Sequence, residues 1–512
     1  MLKIKRSSTK LLFLAIVLSV AIGLLGLVLW VDNDFSISGI SSLAATNRSV
    51  NAYFGALITA MALIITLTSN LYSPRLARVF VTHPLTILGV GYILLTNFFI
   101  IISHLISVTH PWFQIVSFIS FSLTIVAMLG IIPFLYAISR FVKPSYFIPL
   151  IGVYATENLN ELHRTGISKV KIEKESKNFF SLIDVITNMA TTALQRKDRL
   201  VMSIVTVELF KLLKVLISYR NDISKDQKWR RRSQSFTQGM SEEGKYYLKR
   251  DKIWPEAYIL SKVLENTNIL TRSDNELVPL ICRELTNSHD LAINHSDKKI
   301  VKLHLMILNS ILREALDSRN EHKFSSVIYY YRMNIELLIG HYDLCEQAIS
   351  HFIFYGTCAK NLDEPLAVKS FLFDLSRILN YLSFESEKLS LKLYEKEVKR
   401  TWMQFIKLGG NYKKYTTMSI IKTFWNLYSQ NYHQLTSLLR RDFLNDSFEH
   451  AVILKEMLQN EDPLEKEYSD FLVCPEYLSG MALSLASDFL SDFIEVLEKE
   501  DKDQDEETEE AV

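Results

Sequence analysis

Four long apolar runs within the first 140 residues constrain this chain more than any other feature. Leu11–Trp30 holds no charged side chain, and as a helix it would be about 30 Å long, enough to cross the hydrocarbon core of a bilayer. Val50–Tyr72, Leu85–Val108 and Trp112–Ser139 follow, joined by connections too short to hold a domain. Pro133, near the end of the last run, predicts a kink there, with the final turns leaving the bilayer on the cytosolic side.

Basic residues give the runs a direction. Lys3, Lys5, Arg6 and Lys10 precede the first, Arg75 and Arg78 lie in the second connection, and Arg140 and Lys143 follow the fourth. The opposite connections hold only Arg48 among basic residues, and Asp32 and Asp34 stand just past the first run. The positive-inside rule therefore places both termini in the cytosol, with Arg75, Arg78, Arg140 and Lys143 as anchors at the membrane interface. A competing reading of the first run is a signal peptide cleaved near Ala44 and Ala45. Its 20 apolar residues exceed the usual 7 to 15 of such segments.

The expected fold is all-α: a four-helix transmembrane bundle over residues 1–144, a helical cytosolic domain of stacked helical hairpins over 145–496, and an acidic, disordered tail over 497–512. Helical apolar spacing is clearest at Phe179–Leu194, Val201–Ser218, Ile300–Leu316, Ser325–Ile339 and Leu344–Cys358. Short polar links such as Ser318–Glu321 and Asn361–Pro365 separate neighbours. No fixed repeat period is apparent, although repeat-like packing fits the pattern. A basic stretch over about 220–255, with Arg230, Arg231 and Arg232 beside Trp229, reads as a loop. It would either meet anionic headgroups or remain solvated with local ion pairs.

The spans contain no Asp, Glu, Lys or Arg, which disfavours proton or ion coupling through buried charge. Uncharged polar residues form stripes instead: Thr59, Thr66 and Asn70 on the second run, Asn97 and His104 on the third, and Ser117, Ser120 and Thr124 on the fourth. All are expected in the bundle interior. They would hydrogen-bond between helices, helped by the small residues Ala52, Ala56 and Ala60, or line a narrow pore in an oligomer.

Chemistry is sparse. The charge balance, 57 basic against 56 acidic side chains, removes the electrostatic argument for nucleic acid as a partner. Phosphate-loop, kinase, nucleophile-elbow and paired-cysteine zinc signatures are all missing from the sequence. The cysteines Cys282, Cys345, Cys358 and Cys474 have irregular spacing and read as free thiols facing a reducing compartment. His289, Asp290, His295, Asp297 and His304 have metal-binding composition without metal-binding spacing, and polar helix ends account for them. His341 with Cys345, and His351 with Cys358, fit buried helix faces. No catalytic, cofactor-binding or metal residues are assigned.

The run TLTSNLYSPRLAR, Thr66–Arg78, together with ALDSRN and YYYRMNIELL in the span Trp254–Leu379, resembles a family of uncharacterised bacterial predicted membrane proteins, a domain of unknown function. The resemblance rests on the Ser73, Pro74, Arg75, Leu76 step after the second apolar run. It implies a bacterial inner-membrane protein and supplies no activity or ligand. The functional expectation is a non-enzymatic, membrane-anchored scaffold or sensor whose helical domain binds a partner protein or ligand, or forms a homo-oligomer, with membrane lipids as its other contact. The alternative is an oligomeric channel or membrane-permeabilising protein lined by the Ser, Thr and Asn stripes.

Overall fold

A computed structural model describes residues 39–71, 84–107, 109–110, 112–140, 143–163, 168–220, 242–270, 277–362, 365–443, 452 and 490–499. Among the described residues all regular structure is helical. The chain divides into two compact units, Met1–Arg232 and Ser233–Val512. That division falls inside the basic stretch expected as a loop, so residues 145–218 group with the apolar helices and not with the helical domain that follows.

In the first unit, α1 (Gly39–Leu71), α2 (Pro84–Leu105) and α3 (Trp112–Ser139) pack on one another. Each contains a segment long and apolar enough to cross a membrane: Asn47–Thr66, Thr86–Leu105 and Trp112–Gly130. The expected first span, Leu11–Trp30, lies outside the described residues, as do Arg75 and Arg78. Helix α1 begins eleven residues before the apolar run, and where the run starts Asn51 Nδ2 donates to Asn47 Oδ1 at 3.0 Å. Helix α3 continues through Pro133 to Ser139.

The polarity of this bundle runs opposite to that of a water-soluble one. Leu63, Phe98, Ile101 and Leu105 face outward, with Leu105 80% exposed. Thr96 and Ser103 of α2 and Ser117, Ser120, Ser122 and Thr124 of α3 are buried, as is an apolar cluster of Val50, Leu57, Ile93 and Ile100. An apolar exterior over an interior where Thr96, Ser103, Ser120 and Thr124 find hydrogen-bond partners within the protein suits a lipid solvent.

The expected interior stripes need correction. Ser117, Ser120 and Thr124 are buried, but Thr59, Thr66 and His104 are exposed on this unit and Asn97 is half-buried. The side chain of Asn70 lies outside the described residues. On α2 the inward polar positions are Thr96 and Ser103, each one residue before the expected Asn97 and His104, a rotation of about 100° around the helix. On α1, Thr59 Oγ1 donates to its own helix at Gly55 O, 2.8 Å away, and needs no partner across the bundle.

A second three-helix bundle follows in the same unit: α4 (Pro144–His163), α5 (Lys169–Gln195) and α6 (Arg199–Ser218). Ser168 and Asp198 cap α5 and α6 by accepting from Lys171 N and Val201 N. Ile151, Ala155, Leu159, Ile183, Ile186, Val205 and Leu209 are fully buried in these three packed helices. Gly152 admits the Glu208 carboxylate: a Cβ there would stand 1.9 Å from Glu208 Oε1. Burial pushes the Glu208 carboxyl up, while Lys211 at 3.0 Å draws it back.

The second unit is a stack of helical hairpins. After a short α7 (Glu242–Asp251) come α8 (Trp254–Leu270), α9 (Leu277–Asn294), α10 (Lys298–Asp317), α11 (Glu321–Leu337) and α12 (Tyr342–Cys358). A short 3-10 turn, Ala359–Leu362, leads to α13 (Pro365–Glu385). Next, α14 (Glu387–Leu393) and α15 (Lys399–Leu408) are joined through one π turn, Tyr394–Val398, and α16 (Gly410–Ser429) follows. A further helix spans 433–443, and one covers 490–499. The expected loop over about 220–255 is therefore helical from Glu242 onward, while Arg230, Arg231 and Arg232 lie outside the described residues. The expected tail also starts too early, because residues 497–499 belong to a helix with Leu497 buried.

A period that the sequence hides is explicit in the backbone. First helices begin at Leu277, Glu321, Pro365 and Gly410, spacings of 44, 44 and 45 residues; second helices begin at Trp254, Lys298, Tyr342 and Glu387, spacings of 44, 44 and 45. First helices pack on first helices, α9 on α11, α11 on α13 and α13 on α16, while α8 packs on α10 and α10 on α12. The turn within a hairpin recurs as well. Ile253 N, Asp297 N and Tyr432 N each donate to the carbonyl five residues back. The residue before each, Lys252, Ser296 and Asn431, has φ of 55°, 55° and 62°. This is the Schellman cap, in which a left-handed residue closes the helix end. Cross-repeat bonds repeat at similar separations: Asn334 to Thr286, Ser376 with Thr423, and Ser419 to the Leu372 carbonyl.

Candidate functional site

The first-helix layer carries an open groove of about 420 Å³ across three consecutive repeats. Glu336 of α11 forms one rim. Arg377, Asn380, Tyr381 and Phe384 of α13 form the floor, and Lys422, Asn426 and Gln430 of α16 form the other rim. Each set recurs at three- or four-residue spacing, so these side chains share one helix face. Phe384 and Tyr381 are 69% and 41% exposed, an unusual state for two neighbouring aromatic rings.

Beneath the groove an ion pair ties α11 to α13. Arg332 Nε lies 2.7 Å from Asp374 Oδ1, and Arg332 Nη1 also binds Glu336. Burial pushes the Asp374 carboxyl up, against the pull of the Arg332 guanidinium beside it. Cations alternate with rings along the same layer: Lys422 Nζ stands 4.0 Å from the Phe373 centroid, Arg377 lies over the same ring, and Lys369 and Lys414 flank Tyr415. Asn380 Oδ1 is enclosed with no hydrogen-bond partner among the described residues. The groove presents basic side chains and ring faces.

A second depression of about 590 Å³ lies along α15, lined by Lys399, Arg400, Met403, Gln404, Lys407 and Leu408 together with Glu395. It follows the π turn, where Tyr394 Oη donates to Asp442 Oδ2 at 2.9 Å and Lys399 pairs with the same carboxylate.

Other groups singled out in the sequence resolve differently. His289 and His304 come together inside the α9–α10 hairpin, ring centroids 5.7 Å apart, with Ser288 Oγ 3.3 Å from His304 Nε2. Burial depresses both imidazoles, His289 to about 3. Asp290 faces outward, and Asp297 caps α10 by accepting from Lys299 N and Ile300 N, so neither carboxylate joins the pair. Among the described residues no cluster of three or more metal-type side chains occurs. Cys282 and Cys345 are buried free thiols pushed up to about 12 by desolvation, and Cys358 is free and half-buried. His351 Nδ1 meets Asn309 Nδ2 at 3.0 Å. At the expected membrane interface, Arg140 lies over the Tyr136 ring and donates to its hydroxyl, and Lys143 is exposed.

Sequence reading missed the groove because its residues look like ordinary amphipathic helix surface. The one usable signal was Tyr381 and Phe384, four and seven residues after Arg377 on the same helix face.

Fold and groove together define an all-helical chain whose second unit repeats a helical hairpin and carries a cationic, aromatic surface. No family model and no curated protein matches the chain. Among solved structures, a "circular tandem repeat protein with novel repeat topology and enhanced subunit contact surfaces" aligns over 90% of this chain and 99% of its own, at 11% identity and a TM-score of 0.34. At that score the likeness carries no weight, and the repeat assignment rests on the helix register described above.

Proposed function

We propose that this chain is a multi-pass, membrane-anchored scaffold whose hairpin-repeat unit lies in the bacterial cytosol and docks a partner protein through the α11–α13–α16 groove. The observation that carries this reading is the groove itself, a continuous cationic and aromatic surface built from equivalent faces of three successive repeats. Stacked hairpins present extended binding surfaces in this way, because each repeat contributes one helix face to a shared wall. The anchor is supported by three span-length helices with lipid-like outward faces, and the orientation by the basic residues flanking them. Family membership is proposed on the Ser73–Leu76 step alone.

Affinity purification from detergent tests the docking reading. The intact chain should retain a stoichiometric partner that the Tyr381→Ala/Phe384→Ala chain loses, while Phe354→Ala on the second-helix layer retains it. Equal recovery by all three chains would sink the groove as the docking surface.

A second reading, an oligomeric channel, draws on Thr59, Thr66 and His104, which face outward from the bundle and would meet counterparts in neighbouring copies. The buried polar groups work against it, since Ser103 and Ser120 hydrogen-bond one another at 2.7 Å and support packing. Planar-bilayer recording separates the readings: a conductance abolished by Thr66→Val favours the channel, and silence favours the scaffold.

A further inference from the structure

We infer that the exposed cationic edge of α14 and α15 docks on anionic phospholipid headgroups, laying the second-helix layer against a bilayer and leaving the α11–α13–α16 groove clear of it. The inference rests on the membrane-anchored reading above.

Spacing builds the edge. Lys388, Lys392, Lys396 and Arg400 stand four residues apart through α14, the π turn and α15, and Lys407 follows two turns on. A four-residue step overshoots one α-helical turn by about 40°, so such a line drifts around a regular helix. The π turn Tyr394–Val398 winds by less per residue and takes back part of that drift. All five side chains are exposed, and the one exposed carboxylate among the described residues of these helices is Glu395. Thr401, Trp402 and Phe405 are buried on the inner face of α15, which holds the charged face outward.

Counter-charges lie deeper than the cations. Lys388, Arg400 and Lys407 make no ion pair among the described residues. Lys392 and Lys396 share Glu346, at 2.9 and 2.8 Å, and Lys396 also lies 3.9 Å from Glu397. The two lysine side chains are 59% and 54% exposed, against 26% and 12% for the two carboxylates, so each pair turns its ammonium outward. Lys399 pairs with Asp442, which is 7% exposed. An approaching surface therefore meets ammonium and guanidinium groups first.

Shape then selects the partner. From Lys388 to Lys407 the edge runs about 28 Å, long enough to meet several phosphates of a flat sheet at once. The depression along α15 is shallow and open, and Met403 and the exposed Leu408 lie in it beside Arg400 and Lys407. Four to eight Lys or Arg on an amphipathic helix are the pattern that anionic leaflets attract, and apolar side chains among them rest at the headgroup boundary. Anchored in the same bilayer, the chain keeps that surface at high effective concentration.

The test places the full-length chain in nanodiscs of phosphatidylcholine alone or in equal mixture with phosphatidylglycerol, each containing a lipid with a nitroxide on its headgroup. A fluorophore is attached at Gln404→Cys, or at Ser429→Cys on the first-helix layer, in a background lacking the native cysteines. Quenching at 404 should be roughly threefold stronger with phosphatidylglycerol and fall back in high salt. Lys388→Glu/Arg400→Glu/Lys407→Glu should remove the difference, with unchanged circular dichroism showing that the fold survives, and position 429 should show no difference at all. Equal quenching at 404 in the two discs, or quenching that survives the charge reversals, would overturn the inference and leave the anchored reading standing. Shielding of 404 that follows the number of chains per disc instead of the lipid would assign the edge to a second copy and overturn it too. A chain that does not enter discs would overturn the anchored reading and the inference with it.

Discussion

Arg332 Nε and Asp374 Oδ1 lie 2.7 Å apart although 42 residues separate them, because they occupy facing positions on first helices of consecutive repeats. Both side chains are almost wholly shielded from solvent, at 4% and 6% exposure. Removing one partner strands the other charge in a low-dielectric interior. Asp374→Ala is expected to cost about 3–5 kcal/mol in chemical unfolding. The double change Arg332→Ala/Asp374→Ala should cost clearly less than the sum of the single changes. Additive costs would mean that the pair is not energetically coupled.

Buried histidines give the repeat unit an acid-sensitive point. His289 titrates near 3 in the folded chain and near 6.5 when unfolded, so between those values the unfolded state binds the extra proton. Stability is complete above about pH 6.5 and declines as pH falls toward 3, with His304 acting in the same direction. His289→Leu should flatten the unfolding midpoint across pH 4–7 relative to the native chain. An unchanged slope would contradict burial of the pair.

Close approach of α12 to α13 depends on Gly356. A Cβ there would stand 2.0 Å from the buried Phe371 ring, whereas at Gly340 it would meet nothing within 4 Å. Gly356→Ala is expected to destabilise by about 1–3 kcal/mol. Gly340→Ala should stay within about 0.5 kcal/mol. Urea midpoints for the two variants measure the contrast directly.

Orientation can be read by thiol labelling in a background lacking the native cysteines. A cysteine at His110, in the α2–α3 connection, should react with a membrane-impermeant maleimide in intact cells. A cysteine at the exposed Met306 should react only after permeabilisation. Reaction at 306 in intact cells would reverse the proposed topology.

The helices of this fold were largely legible in the sequence, and their assembly was not. Apolar spacing located the ends of α10, α11 and α12 to within four residues, because periodic Leu, Ile and aromatic positions leave a direct trace. The repeat escaped because its turns close on Lys252, Ser296 and Asn431 in the left-handed region, where a glycine would have marked the helix end. Helix α4 was missed because Pro149 sits inside it. In the bundle the polar stripe on α2 was rotated by one residue: hydropathy identifies a span, but neighbouring helices decide which face points inward. The groove stayed hidden for a related reason, since Glu336, Arg377 and Lys422 come from three helices that only the 44-residue register brings together.

Site-specific photocrosslinking tests the docking surface most directly. In living cells, a benzoylphenylalanine replacing Tyr381 is compared with one replacing Met306 in the intact chain. The account predicts one discrete intermolecular adduct from position 381 that disappears with Arg377→Glu and Lys422→Glu, and none of that size from position 306. Equal adducts from both positions, or an adduct at 381 indifferent to the charge reversals, would contradict it.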